Sequence, residues 1–482
     1  MRENIRKIVL IVIWIAGIIT LFGGESYVNN QGQLIVDGKP FFIMGFFADS
    51  YASSYEDKIA SIDSLSQAGF NTVRSSAVGE DWETESHLEH AQESRIKVIY
   101  SGALNNQWKD YHLNKMETLK DAAGLLGWYI ADDSHGMHPD TIKMYHEQAK
   151  GIDSTHITTH SMALSCWNDY GQDFIKERIK YCDVLQMQSY PIGREPIDEV
   201  YHDMRLTLAA ARTSKTPVVV DLQLFSWQLT GHSWGRWPTP KEADLMTWLA
   251  IVAGVDGYLY YTYYDKLVEP ARALSQSQPQ LWKAVKNTAA MVNLIKADLL
   301  KHRKFITFSP KSNLYYGQWI TADHSTVIAV NTSGSDSLSI SIPIVEEHSN
   351  LELLFKSRPG DLSIQGQFLK GKIGPMSAQF YRLFPDETKI DSEVRPNSYD
   401  MKVYPNPSNN RLQLLVNAGN SEPLNIRLYS IQGRLIKSKS VEIEYSGKHR
   451  YTLPVNGLAV GIYIIRVETG NRIITRKWTY LP

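Results

Sequence analysis

Residues Gly124 to Ser134 read GLLGWYIADDS. The run from Leu125 to Ala131 shows no alternation of apolar and polar positions, which fits a strand buried on both faces, as in a parallel sheet covered by helices. Asp132, Asp133 and Ser134 then fall where such a strand leaves the core and meets a loop. Acidic side chains at that point serve chemistry or ligand binding more readily than packing. A helix N-cap is the alternative use, because Asp and Ser both cap well and His138-Pro139-Asp140 leads into an amphipathic segment. Ser134 and Asp140 can cap without a second acid, which favours function.

The same theme recurs on both sides of this stretch. Apolar strand-like runs occupy Phe41–Phe47, Asn71–Ser76, Lys97–Gly102, Leu125–Asp132, His156–Ala163, Val184–Pro191, Pro217–Phe225 and Gly257–Asp265, eight in all. Segments of helical spacing lie between them, among them Tyr55–Ala68 and Pro240–Ala253, with Gly69 and Gly254 in place as C-terminal caps. Eight strands alternating with helices predict an α/β chain folded as a (β/α)₈ TIM barrel, whose active site lies at the C-terminal rim of the strands.

Outside residues 25–300 the pattern changes. A connecting helix (Leu281–Leu300) is followed by short alternating strands from Phe305 to Phe384, which predict a small antiparallel β-sandwich over 301–385. A polar linker over 386–400 separates it from a last β-rich, Ig-like sandwich, 401–482. At the other end, Arg2, Arg6 and Lys7 precede an apolar run from Ile8 to Phe22 and then Gly23 and Gly24, the pattern of a signal peptide over 1–24. That run is short for a membrane span, so no stable span is expected after processing. No cysteine follows it closely, which argues against a lipid anchor.

Composition narrows the partners. The 482 residues carry 50 Lys+Arg against 51 Asp+Glu, a formal net charge of -1, which offers no electrostatic case for nucleic acid or an anionic membrane. Cys166 and Cys182 are the two cysteines, placed at opposite ends of neighbouring strands and expected not to pair.

The C-terminal unit contains KVYPNPSNNRLQL, NIRLYSIQGRLIKS and LPVNGLAVGIYIIRVETGNRIITRKW. It resembles the C-terminal sorting domain of type IX secretion substrates. The resemblance rests on the YPNP entry (Tyr404-Pro405-Asn406-Pro407), the hairpin Ile431-Gln432-Gly433-Arg434, the core Leu458, Gly461 and Tyr463, and the basic last strand with Arg472, Arg476 and Lys477. It implies export by the type IX secretion machinery of a Gram-negative bacterium, then release or attachment at the outer cell surface.

Strand ends supply the candidate rim residues: Asp49; Arg74, Glu80 and Asp81; Asp132 and Asp133; His160; Gln188 and Tyr190; Gln223; and Tyr261, Tyr263 and Asp265. Trp227, Trp234 and Trp237 crowd the loop after the seventh strand. Flat aromatic faces among carboxylates and amides suit a polyol ring, which presents C–H groups to the aromatics and hydroxyls to the polar groups.

With these residues in view, Lys39 to about Phe384 resembles the retaining glycoside hydrolases with a (β/α)₈ barrel and a trailing β-sandwich. GKPFFIMGF looks like the first strand of that family, AGFNTVR (Ala68–Arg74) like its second, LLGWYIADDS like the fourth and MQSYP (Met187–Pro191) like the sixth. The stretch RWPTPKEADLMTWLAIVAGVDGYLYYTYYD looks like the approach to the eighth strand. In the family a Glu ending strand 4 is the acid/base and a Glu closing strand 7 is the nucleophile. Asp133 stands at the first position, one C–C bond shorter, and Gln223, which is neither nucleophile nor base, at the second. A retaining mechanism needs two carboxyls about 5–5.5 Å apart, whereas an inverting one works across roughly 6.5–9.5 Å with a water between. Asp133 as acid with Asp265, Asp49 or Glu80 as base meets the second requirement in kind.

A metal site is the third chemistry considered, since His135 and His138 crowd the loop of Asp132 and Asp133, with His156 and His160 on the next strand. No HExxH pattern accompanies them, and neither metal nor cofactor is expected. The expectation is therefore an exported glycoside hydrolase acting on a poly- or oligosaccharide. Its catalytic group is Asp133, Asp132 and Asp265, and its substrate contacts are Arg74, Asp49, His160, Tyr190, Gln223, Trp227, Trp234, Tyr261 and Tyr263. The alternative is a catalytically inactive barrel that binds glycan at the cell surface, which Gln223 favours.

Overall fold

A computed structural model describes residues 24–480 apart from 48–53, 77–80, 106–107, 164–170, 265–272, 303, 312, 346–347, 349, 357–361, 386–399, 405–410, 419–422, 431–433, 442–446, 456 and 470–471. Residues 1–23 of the expected signal peptide, Asp49, Glu80, Cys166, Asp265, most of the YPNP segment and Ile431-Gln432-Gly433 therefore lie outside the described residues. The chain divides into two compact units at Asp386/Glu387.

The eight barrel strands are β1 (Ile43–Phe47), β2 (Thr72–Ser75), β3 (Lys97–Ser101), β4 (Leu125–Ala131), β5 (Ile157–Ala163), β6 (Val184–Ser189), β7 (Val218–Gln223) and β8 (Gly257–Tyr261). They pair in parallel in sequence order, and β8 returns to β1 to close the ring. Helices α1 (Tyr55–Gln67), α2 (Asp81–Glu93), α3 (Lys109–Leu119), α4 (Pro139–Ile152), α5 (Gln172–Ile179), α6 (Glu199–Ala211) and α7 (Pro240–Ala253) follow β1 to β7 in turn, and α8 (Leu274–Ser277) and α9 (Pro279–Lys301) follow β8.

Both faces of the strands are apolar because each meets a different core. Ile43, Ile99, Leu126, Tyr129, Ile157, Val184, Val219 and Leu259 point inward and fill the barrel. Met44, Phe46, Val73, Leu185, Val220, Leu222 and Tyr260 point outward against Ile62, Leu65, Leu88, Met116, Leu245 and Leu249 of the helices. Gly45 marks a tight approach of β1 to β2, where a β-carbon would lie 1.8 Å from the Thr72 carbonyl oxygen. Three short strands ahead of the barrel (Ser26–Val28, Leu34–Val36, Lys39–Pro40) close its floor, with Leu34 and Val36 joining the inner core and the Ile157 N–H donating to Ser26 Oγ at 3.0 Å.

Helix α7 opens on a capping box between Thr239 and Glu242 with Pro240 in the first turn, and ends at Gly254 with φ +104°. Ten of its residues are buried, since it lies between the barrel and the sheet that follows, with Trp248 4.2 Å from Phe380, ring centroid to ring centroid. That sheet combines β9 (Lys304–Lys311), β10 (Leu314–Ile320), β11 (Ser325–Asn331), β16 (Ser377–Phe384) and β13 (Asn350–Lys356) in this order. The facing sheet combines β12 (Leu338–Pro343), β15 (Phe368–Ile373) and β14 (Leu362–Gln365). Every residue of β10 and β11 is buried. Tyr315, Trp319, Ile328 and Val330 face the barrel helices, and Leu314, Tyr316, Val327 and Ala329 face Ile340, Ile342, Leu369 and Ile373 of the second sheet. Strands β14 and β15 went unread in the sequence because LSIQ and FLKGKI carry few apolar residues; they form a hairpin that turns at Gly366, φ +60°.

The second unit comprises β17 (Asp400–Tyr404), β18 (Arg411–Ala418), β19 (Leu424–Ser430), β20 (Leu435–Val441), β21 (Gly447–Pro454), β22 (Gly461–Thr469) and β23 (Arg472–Tyr480). They form antiparallel sheets of three strands, β17-β18-β21, and four, β20-β19-β22-β23, around Leu412, Leu414, Val416, Ile426, Leu428, Ile465 and Trp478. No helix among the described residues is long and apolar enough to cross a membrane.

Candidate active site

Strand β4 delivers two carboxyls to the rim in different settings. A register shift against β5 between Tyr129 and Ala131 turns the strand end. Asp132 Oδ1 accepts from the Tyr129 hydroxyl at 2.5 Å and from Ser161 Oγ at 3.1 Å, which fixes it over the barrel. Asp133 takes the left-handed backbone region, φ +46° and ψ +42°, which few non-glycine residues adopt. Its side chain is exposed, and Oδ1 accepts from Gln188 Nε2 at 3.1 Å. Partial loss of water and the adjacent Asp132 charge raise the Asp133 pKa above the ordinary carboxyl value, against the Gln188 bond, which lowers it. Neither acid caps α4: His138 does, its Nδ1 accepting from the Asp140 N–H at 3.2 Å.

Beneath this pair the barrel holds a polar layer. The buried Arg74 guanidinium lies between the rings of Phe47 and Tyr129, 3.0 and 3.6 Å from their centroids. Burial opposes its charge, but Tyr129, Asp132 and Asp221 outweigh that and hold the pKa above its usual value. Asp221, inward on β7, is only 1% exposed, and burial pushes its pKa up to about 7, with Asp132 adding and Arg74 opposing. Asp221 Oδ1, Arg74 Nε and Nη1, both amide atoms of Gln186 and Thr159 Oγ1 have no hydrogen-bond partner among the described residues. Groups of this kind take ordered water or ligand hydroxyls as partners. The sequence reading missed Asp221. Its signal was a single carboxylate two positions from both Val219 and Gln223 on the inward face of an apolar strand.

Three expected substrate contacts have other work. Gln223 is fully buried; its Oε1 accepts from the Ile192 N–H at 2.8 Å and its Nε2 donates to the carbonyls of Ile192 and Phe225 at 3.2 and 3.1 Å. It ties the loop after β6 to the loop after β7, and its amide is not turned to a ligand. His160 points outward, since its neighbours Thr159 and Ser161 take the inward positions, and meets Ser134 Oγ at 2.8 Å and the Arg178 carbonyl at 3.4 Å. Burial pushes its pKa down to about 4. Tyr263 packs behind the barrel, 5.5 Å from Phe46 and 5.1 Å from Trp282 between ring centroids.

The remaining aromatics do gather at the mouth. Tyr190, Phe225, Trp227 and Tyr261 form one cluster with Ala163, and Trp227 Nε1 donates to the Tyr190 carbonyl at 3.2 Å. Tyr261 meets Phe47 edge-on at 4.8 Å, which links this cluster to the ring that covers Arg74. Trp234 is 44% exposed and stacks on His232 at 4.9 Å, whereas Trp237 packs into the main core. The histidines of the metal reading are spread over local tasks: His135 Nδ1 accepts from the Ala163 N–H and His156 bonds Asp153. No group of three or more metal-ligating side chains occurs among the described residues.

Residues 402–480 match the family of secretion system C-terminal sorting domains. The chain thus carries an address for secretion or the outer surface. No curated protein is significantly similar to it in sequence. Among solved structures, a glycoside hydrolase family 5 protein from Bacteroides vulgatus is similar with a TM-score of 0.55 at 12% identity, over 77% of this chain and 96% of that one. The gamma-CGTase of alkalophilic Bacillus clarkii is similar with a TM-score of 0.50 at 10% identity, over 94% of this chain and 84% of that one. At such identities the likeness is one of fold.

Proposed function

We propose that this exported barrel is a glycoside hydrolase acting on a poly- or oligosaccharide, with Asp133 as general acid. The observation that carries the reading is the unlike state of two adjacent carboxyls. Asp132 is held by Tyr129 and Ser161, while Asp133 is turned outward with its proton affinity raised. In the reaction the glycosidic C–O bond breaks, the leaving oxygen takes the Asp133 proton, and water adds to the sugar carbon while giving a proton to a second carboxylate. Asp265, the first carboxylate in the sequence after β8, is our candidate for that base, with Asp49 and Glu80, which follow β1 and β2 in the sequence, as the others. Asp132 and Arg74 set the charge beneath the sugar, and Tyr190, Trp227, Trp234 and Tyr261 give it aromatic faces.

A second reading, an inactive barrel that binds glycan, is favoured by β7. Its terminal Gln223 is fully bonded to backbone and its only carboxyl, Asp221, is sealed in the core, so this strand presents no nucleophile. A polysaccharide screen with reducing-sugar detection, run beside affinity electrophoresis on the parent and Asp133→Asn, separates the two. Sugar release by the parent that the variant lacks supports hydrolysis. Retardation without release supports the binder, and neither response overturns both.

A further inference from the structure

All exposed tryptophans among the described residues lie on one end of the barrel. Trp82, Trp108 and Trp234 are 60%, 59% and 44% exposed, whereas Trp128, Trp227, Trp248, Trp319 and Trp478 are buried. Trp82 is in the first turn of α2, directly after β2, and Trp108 is the N-cap of α3, directly after β3, so both stand on the C-terminal rim. Tyr111, in the first turn of α3, is 41% exposed.

These side chains form two aromatic pairs at the starts of neighbouring helices, joined beneath the surface by a buried lysine. Trp82 meets Tyr55 of α1 at 6.1 Å and Trp108 meets Tyr111 at 6.5 Å, ring centroid to ring centroid. Between the two pairs, Lys115 forms an ion pair with Asp81, the neighbour of Trp82, and its ammonium lies 5.4 Å from the Tyr111 ring. The ion pair fixes the start of α2 against α3 and so holds the aromatic pairs in place. Between residues 54 and 119 the exposed large hydrophobics among the described residues are all aromatic, while exposed aliphatics such as Leu294 and Leu353 lie elsewhere. Protein interfaces draw on the same aromatic residue types, but these rings share the barrel end that carries Asp132 and Asp133, which ties them to the ligand of that mouth. Flat exposed rings beside the exposed Asp81 carboxylate match a glycan, whose C–H faces stack and whose hydroxyls hydrogen-bond.

The spread of these rings sets the ligand's length. In the closed ring β3 stands four strands from β7, on the opposite side. Eight strands about 4.8 Å apart and tilted by about 36° enclose a ring roughly 15 Å across. Trp108 and Trp234 both lie outside that ring, farther apart than one sugar spans. Asp132 and Asp133 end β4, beside β3, on the way between them.

We propose that Trp82, Trp108 and Tyr111 form an outer glycan-stacking surface, so that the ligand of this barrel is an extended polysaccharide that crosses the mouth from the Trp234 side to the α2–α3 side. This rests on the glycan reading of the mouth. The test is affinity electrophoresis of the full chain in gels of soluble β-mannan, xyloglucan, laminarin or starch, with calorimetric binding of the trisaccharide of the polymer that retards it most. The double variant Trp82→Ala/Trp108→Ala should bind that polymer about tenfold more weakly and the trisaccharide within about twofold of the parent. Trp82→Phe/Trp108→Phe should keep most of the polymer affinity, and both variants should melt as the parent does because the replaced side chains are exposed. Unchanged polymer binding in the alanine variant, or equal loss of polymer and trisaccharide, overturns the outer surface and leaves the glycan reading standing. A changed oligomeric state with unchanged polymer binding assigns the surface to a protein partner and also overturns it. A parent retarded by none of the polymers overturns both.

Discussion

Strands β4 and β7 are built alike and end differently. Both are buried throughout, LLGWYIA in one and VVVDLQ in the other, and both carry aspartate near the C-terminal end. In β4 the acids follow the last strand residue and reach the rim; in β7 the acid comes two residues before the end and stays in the core. With a rise of about 3.3 Å per residue, such a step in position moves a side chain by a whole layer of the barrel. The same residue type is thereby an accessible acid on one strand and a buried carboxyl in the field of Arg74 on the other. Depth along the strand, more than residue identity, separates the two roles.

The largest effect expected from breaking this contrast is at Asp133. Asp133→Asn should lower turnover on order of 10²–10⁴-fold while leaving glycan binding nearly unchanged, because the amide keeps the shape and loses the proton. Equal rates for parent and variant on every cleaved glycan would remove Asp133 from the chemistry.

Gln223→Glu probes the other strand. The Ile192 N–H would keep an acceptor, but the carbonyls of Ile192 and Phe225 would lose their donor and face a carboxylate. Urea unfolding should show a loss of roughly 3 kcal/mol with no gain in activity. A variant of parental stability with new retaining activity would return Gln223 to the mouth.

Asp221 gives a smaller, pH-dependent effect. Its folded pKa, about 7, lies above the unfolded value, so the native state keeps a proton that the unfolded chain releases. The stabilising contribution is present below about pH 4 and is lost as pH rises through about 7. Asp221→Asn should remove that decline, so the stability of the variant relative to the parent should rise between these limits in denaturant titrations. A difference that does not change with pH would contradict the raised pKa.

The smallest shift belongs to Gln188. Its bond to Asp133 favours the charged carboxylate, so Gln188→Ala should raise the Asp133 pKa and move the alkaline limb of the pH–rate profile upward by less than about one unit. An upward shift of the acid limb in its place would mean that Asp133 works in its ionised form.

How much was readable differs by element. All eight barrel strands were expected within about two residues of their ends apart from β8, whose expected end at Asp265 runs past the observed Tyr261, because continuous apolar runs bounded by polar rims leave few other folds. Helix α7 runs from Pro240 to Ala253 as its threonine cap and Gly254 indicate. The rim was read less well. His160 and Gln223 are of the right residue types, but His160 lies in the middle of β5 and points to the helix layer, and Gln223, at the end of β7, is consumed by loop backbone. Tyr263 follows β8 so closely that sequence position could not tell mouth from outer wall.

By itself the sequence determined the order of elements, the barrel, the β-rich units that follow it and the secretion address, because these rest on periodicity, capping and local motif, which neighbouring residues fix. Only the tertiary structure decided that Arg74 lies between Phe47 and Tyr129, that Asp221 shares its field with Asp132, and that Gln223 holds two loops together. Those facts join strands that are distant in sequence. Strand register, inward or outward direction and the backbone groups brought alongside set them, and none of these is a property of any one segment.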